Sequence, residues 1–102
     1  MIKAKFTKTD DHFTNLEISG HAEYAEYGKD IVCSAVTAAF STTINLIDRI
    51  GFRYQLQQND GYINLNVAAT DKMIDLILEN LFDVLKSIEE DYPKNVKVIL
   101  KK

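Results

Sequence analysis

The stretch DIVCSAVTAAFSTTINLIDRIG, residues 30–51, carries its own start, its own stop and one apolar face. Val32, Val36, Ala39, Phe40, Thr43, Leu46, Ile47 and Ile50 recur at steps of three and four, the period of a helix with one side buried. Asp30 can cap that helix by accepting an N–H from Val32 or Cys33, and Gly51 is a natural stop. A helix from Ile31 to Ile50 with a single apolar face needs a second layer to cover it, and the flanking sequence supplies strands. Upstream, Ile2, Ala4 and Phe6 alternate with Lys3, Lys5 and Thr7. After the turn-like Asp10-Asp11-His12, a second strand from Phe13 to Ser19 turns Leu16 and Ile18 inward, so the two strands should form a hairpin. Downstream, Phe52, Tyr54 and Leu56 alternate with Arg53, Gln55 and Gln57. Asn59-Asp60-Gly61 then turns the chain into a run where Ile63, Leu65 and Val67 alternate with asparagines, a second hairpin. Thr70 caps a second helix running to about Glu90, with Ile74, Ile77, Leu78, Leu81, Leu85 and Ile88 inward, and Pro93 closes the turn before a last strand around Val96 to Leu100. The order ββαββαβ predicts an α+β two-layer sandwich, a mostly antiparallel sheet with both helices on one face.

The 102 residues make one domain, 1–102, large enough for a proper core without disulfide or structural metal. The single cysteine, Cys33, cannot form an intrachain disulfide, and His12 and His21 do not combine with it in any recognisable zinc spacing. No metal or other cofactor is called for. A formal net charge of −3 and a pI near 5.3 argue against direct nucleic-acid binding, which needs a basic face, while leaving room for a basic protein partner. The opening Met1-Ile2-Lys3-Ala4-Lys5 has neither an apolar signal core nor a spanning segment, so a reducing, cytoplasmic setting and no membrane association are expected.

Chemistry concentrates around Cys33. A thiol in the first turn of a helix faces unpaired backbone N–H groups and the positive end of the helix dipole, both of which favour the thiolate. Burial among apolar groups would do the opposite. His21 lies just beyond the second strand and Cys33 just inside the helix, so the excursion between them can bring both ends to one sheet edge at a modest closure cost. An imidazole that takes or shares the thiol proton and later protonates a leaving amine is the pairing cysteine proteases need. The competing reading of His21 is a polar loop residue, and His12 reads as a solvated turn residue. Asp30 is either a helix cap or a third member orienting His21, and its charge opposes ionisation of the nearby thiol. The N–H groups of Cys33 and Ser34 are candidates for an oxyanion hole. Between the glycines, Gly20, His21, Ala22, Glu23, Tyr24, Ala25, Glu26, Tyr27 and Gly28 form a stretch whose aromatics and carboxylates suit a peptide with apolar and cationic side chains. A solvated loop whose tyrosines pack on the neighbouring helix fits the same residues. Three functions follow: a specific endopeptidase, a non-catalytic binding module docking on a basic protein partner, and a redox-sensing thiol, the last weakened by the lack of a resolving cysteine.

The run Gly20-His21-Ala22, then Gly28, then Asp30-Ile31-Val32-Cys33-Ser34-Ala35-Val36, resembles the signature of the ribosomal-processing cysteine protease family, Prp. Length and the ββαββαβ order are similar as well, so the resemblance spans the chain as a single cysteine protease domain. Thr37 stands where the family often has serine. The resemblance implies a cytoplasmic homodimer that removes the N-terminal extension of the twenty-seventh large-subunit ribosomal protein. Cys33 would then be the nucleophile, His21 the general base and acid, and residues 22–29 the substrate loop, with no cofactor.

Overall fold

The computed structural model describes residues 1–21 and 30–102. Its elements are β1 (Ile2–Thr9), β2 (His12–Ser19), α1 (Ile31–Ile50), β3 (Tyr54–Asn59), β4 (Tyr62–Val67), α2 (Lys72–Asp91) and β5 (Val96–Lys101). The five strands form one sheet in the order β3-β4-β2-β1-β5, antiparallel except for β1 beside β5. This is the expected ββαββαβ sandwich.

Alternation decides which face of each strand is covered. Ile2, Ala4 and Phe6 of β1, Leu16 and Ile18 of β2, Leu65 of β4, and Val96 and Val98 of β5 are buried, while the residues between them point to the open face. The helices answer with Val32, Val36, Phe40 and Ile47 from α1 and with Ile74, Ile77, Leu78, Leu81 and Leu85 from α2. Phe6 anchors the middle, edge-on to Phe13 at 5.8 Å and to Phe82 at 5.2 Å between ring centres.

Three local expectations change, and a bulge in the first hairpin adds a feature that simple alternation does not contain. Phe13 and Leu16 are both buried although an odd spacing separates them; a bulge, where the pairing slips between Thr7 and Lys8, adds the residue that turns Phe13 inward. His12 is not a solvated turn residue, because Asp10 and Asp11 both take positive φ, 53° and 63°, and make a two-residue turn that returns His12 to β2. There its Nδ1 stands 2.6 Å from Asp75 Oδ2 at the start of α2, and Asp75 Oδ1 accepts the Phe13 N–H at 2.9 Å. The cap of α2 is Asp71 rather than Thr70, its carboxylate accepting from Met73 N at 2.7 Å, and an aspartate next to a threonine was the stronger acceptor. Leu46 and Ile50, expected inward on α1, are 45% and 46% exposed, while Ile47 between them is buried with Val32, Val36 and Phe40, so the covered stripe is narrower than the apolar one.

Helix α1 is also long and apolar enough, by length and composition alone, to cross a membrane. Its buried stripe against the sheet accounts for that apolarity as a core helix, and Ser34, Ser41, Asn45 and Asp48 lie exposed on it.

Candidate active site

The strand order brings one end of the sheet together: β1 begins there, β2 and β3 finish there, and β4 begins there. Helix α1 starts against the same end, and between them opens a cavity of about 870 Å³. Gly20, His21, Asp30, Cys33 and Ser34 line it, so the residues singled out on either side of the excursion share one space. Ile2, Ile18, Val36 and Ile63 supply apolar wall.

Each polar group is held by a local cause. Asp30 takes an extended backbone (φ −81°, ψ 104°), leaving its carboxylate to fold over the first turn of α1. Its Oδ1 accepts the N–H of Val32 at 2.9 Å and that of Cys33 at 3.0 Å, and its own carbonyl accepts the N–H of Ser34 at 3.2 Å. Only 8% of Asp30 is exposed, and a carboxylate so buried is tolerated because donors surround it. The capping role is therefore present. These bonds also change the oxyanion expectation. The Cys33 and Ser34 N–H groups already have acceptors, so an oxyanion seated there competes with Asp30 instead of entering a vacant pair of donors.

Cys33 is half-buried in the first turn of α1 and packs against the core edge while still reaching the cavity. His21 is exposed and follows Gly20, whose φ of +91° turns the chain out of β2. A side chain at Gly20 would drive its Cβ to 2.2 Å from the carbonyl oxygen of Met1, so only glycine fits where β2 ends beside the start of β1. Ala22, Glu23, Tyr24, Glu26, Tyr27 and Gly28 fall outside the described residues.

A second wall went unforeseen. Gln58, Asn59, Asp60, Gly61, Tyr62 and Ile63, the turn of the β3–β4 hairpin, face Cys33 across the cavity. The Asp-Gly pair announced the turn, but no local pattern announces that β4 pairs with β2 and so carries it to His21. Tyr62 is tied to β2 through its hydroxyl, which donates to Glu17 Oε2 at 3.2 Å. Desolvation first, then that hydrogen bond and the nearby charge, raise the Tyr62 phenol above its ordinary range.

Comparison with known proteins bears on what such a cavity does. The model of the family described as cysteine protease Prp matches residues 1–97. The ribosomal processing cysteine protease Prp of Bacillus subtilis (strain 168) is 33% identical over 108 residues, covering 96% of each chain. That of Staphylococcus aureus (strain Mu50 / ATCC 700699) is 31% identical over 105 residues, covering 96% of this chain and 97% of the relative. A crystal structure of Prp from S. aureus with a covalently linked product peptide superposes with a TM-score of 0.94 at 30% identity, over 99% of this chain and 100% of that one. One with a substrate peptide gives 0.87 at 29% identity, over the same shares.

Proposed function

The chain belongs to the cysteine protease Prp family, and from that footing we propose that it removes the N-terminal extension of the twenty-seventh large-subunit ribosomal protein, with Cys33 as nucleophile and His21 as general base and acid. It is a cysteine protease; the substrate and the residue roles are our reading. The observation that carries the roles is that Cys33, in α1, and His21, just past β2, line the same cavity. The names of its relatives, ribosomal processing protease, and the peptides bound to the S. aureus protein support a ribosomal-protein precursor as partner.

In this mechanism the Cys33 thiol gives its proton to His21 and its sulfur attacks the scissile carbonyl carbon, the π electrons moving to oxygen. The tetrahedral intermediate then collapses with cleavage of the C–N bond, His21 passing that proton to the departing amine and a thioester remaining on Cys33. Water, deprotonated by the same imidazole, then attacks the thioester, and its collapse frees the new carboxylate and the thiol. The start of α1 offers the positive end of its dipole to the oxyanion. The Asp30 carboxylate sits on that same turn, so part of the benefit is offset. The apolar walls of Ile2, Ile18 and Ile63 suit the uncharged side chains of an extension. A free thiol stays reduced in the cytoplasm, and we assign the reaction there, with the enzyme acting as a homodimer.

The test is mass spectrometry of the precursor incubated with the wild type and with Cys33→Ala. The expected result is a single truncated product with the wild type and none with a correctly folded Cys33→Ala protein. Truncation by the variant would refute the nucleophile. An intact precursor with the wild type would refute the substrate.

A further inference from the structure

Gly61 sits in the β3–β4 turn, far along the chain from His21, yet the two touch. A Cβ placed on Gly61 would stand 2.9 Å from His21 Nε2, 3.4 Å from Cε1 and 3.5 Å from Cδ2. The imidazole therefore rests on a bare α-carbon, in space that any side chain at 61 would fill. The same turn also grips the preceding residue, because the Gly61 carbonyl accepts the Gly20 N–H at 2.9 Å. One turn thus holds Gly20 by its backbone and stands against the ring of the next residue, His21.

We propose that Gly61 is a positioning residue for the reaction: the absence of its side chain sets where the His21 imidazole stands relative to Cys33. The inference rests on the reading of these two residues as the reacting pair. A methyl group at 61 meets two obstacles, the backbone at φ +70° and the ring. The backbone is pinned by the β3–β4 ladder and by the Gly20 N–H, whereas the ring ends an exposed side chain with two rotatable bonds. The less costly relief is for the ring to move. Contact with the ring then costs little stability but displaces the proton-transfer group, and a misplacement of about 1 Å is worth roughly 10²-fold in rate. Complete loss of the imidazole, about 10²–10⁴-fold, sets the upper limit.

A control for backbone strain is built into the chain. Gly51, at the end of α1 remote from Cys33, has φ +96° and nothing within 4 Å of the Cβ position. Gly51→Ala therefore imposes positive-φ strain without meeting a histidine.

The experiment measures, for the wild type and for Gly61→Ala, Gly51→Ala, His21→Ala and His21→Ala/Gly61→Ala, the melting temperature, kcat/KM on a peptide spanning the extension junction, and the pH dependence of Cys33 alkylation by iodoacetamide. Both glycine variants should lose thermal stability. Only Gly61→Ala should lower kcat/KM, by about 10²-fold, and change the pH dependence of alkylation in the sense that His21→Ala does. In the His21→Ala background the Gly61→Ala change should have no further effect on either readout. The proposal is overturned if Gly61→Ala keeps wild-type cleavage and alkylation, if Gly51→Ala lowers them equally, or if the two losses add in the double variant. Should Gly61→Ala not fold, recovery of the fold in the double variant supports the ring contact, and failure of both overturns it. Absence of peptide cleavage by the wild type would refute the proteolytic reading instead, and alkylation would still decide the role of Gly61.

Discussion

At the scale of single residues, Asp30 shows how one side chain serves stability beside the thiol proposed as nucleophile. Its carboxylate takes two N–H groups of α1, including that of the residue assigned as nucleophile. Asp30→Ala should cost about 1 kcal/mol through loss of the cap, read as a fall in melting temperature of roughly 4–8 °C. Asp30→Asn keeps a capping oxygen and removes a negative charge beside the sulfur, so it should hold the wild-type melting temperature within about 2 °C and keep cleavage. A stable Asp30→Asn protein that no longer cleaves would instead assign Asp30 the orienting role. The cap was legible in the sequence because capping is a local bond between neighbours. The contact of His21 with Gly61 was not, because it joins residues that only the sheet brings together.

At the scale of elements, α1 is positioned from both ends. Its start is fixed by Asp30. Its far end is tied to β3 by the Tyr54 hydroxyl donating to Asp48 Oδ1 at 2.5 Å. That hydrogen bond, with desolvation and the Asp48 charge acting the same way, raises the Tyr54 phenol above its ordinary value. A raised phenol means that the folded protein holds its proton more tightly than the unfolded chain. The contribution is therefore complete below the unfolded value near 10 and is lost as pH rises through the folded one. The stability advantage of the wild type over Tyr54→Phe in urea unfolding should be constant from about pH 7 to 9 and shrink above about pH 10. A difference that grows with alkali would contradict the assignment. Periodicity located both helices to within a residue or two. It misjudged Leu46 and Ile50, because an apolar residue in the periodic pattern is buried only where the opposing layer meets it, as it meets Ile47 between them.

At the scale of the whole molecule, the sheet order places the cavity. Pairing β4 with β2 sets the β3–β4 turn opposite the start of α1, so three segments distant in sequence make one site. The layer of helices is only partly covered: among the described residues, Ile31, Leu46, Ile50, Met73, Leu76 and Val84 are large apolar side chains left exposed on α1 and α2, Leu76 at 64%. Apolar exposure of this kind on one layer is what association would bury. For the proposed homodimer, light scattering on a sizing column should give about twice the 11.6 kDa of one chain. A mass of one chain at micromolar concentration would argue that the enzyme acts alone.

The sequence by itself determined the elements, their order, the layer each apolar face turns toward, and the motif that marks Cys33 and His21. All of these depend on period, capping and spacing between near neighbours, which a linear chain displays directly. Only the tertiary structure decided that the β3–β4 turn forms the second wall, that the imidazole of His21 takes the space a side chain at Gly61 would fill, that Asp30 occupies the N–H groups of Cys33 and Ser34, and that His12 pairs with Asp75. Strand pairing and the geometry of a filled donor arise when remote segments compete for the same space, and no local pattern records the outcome of that competition.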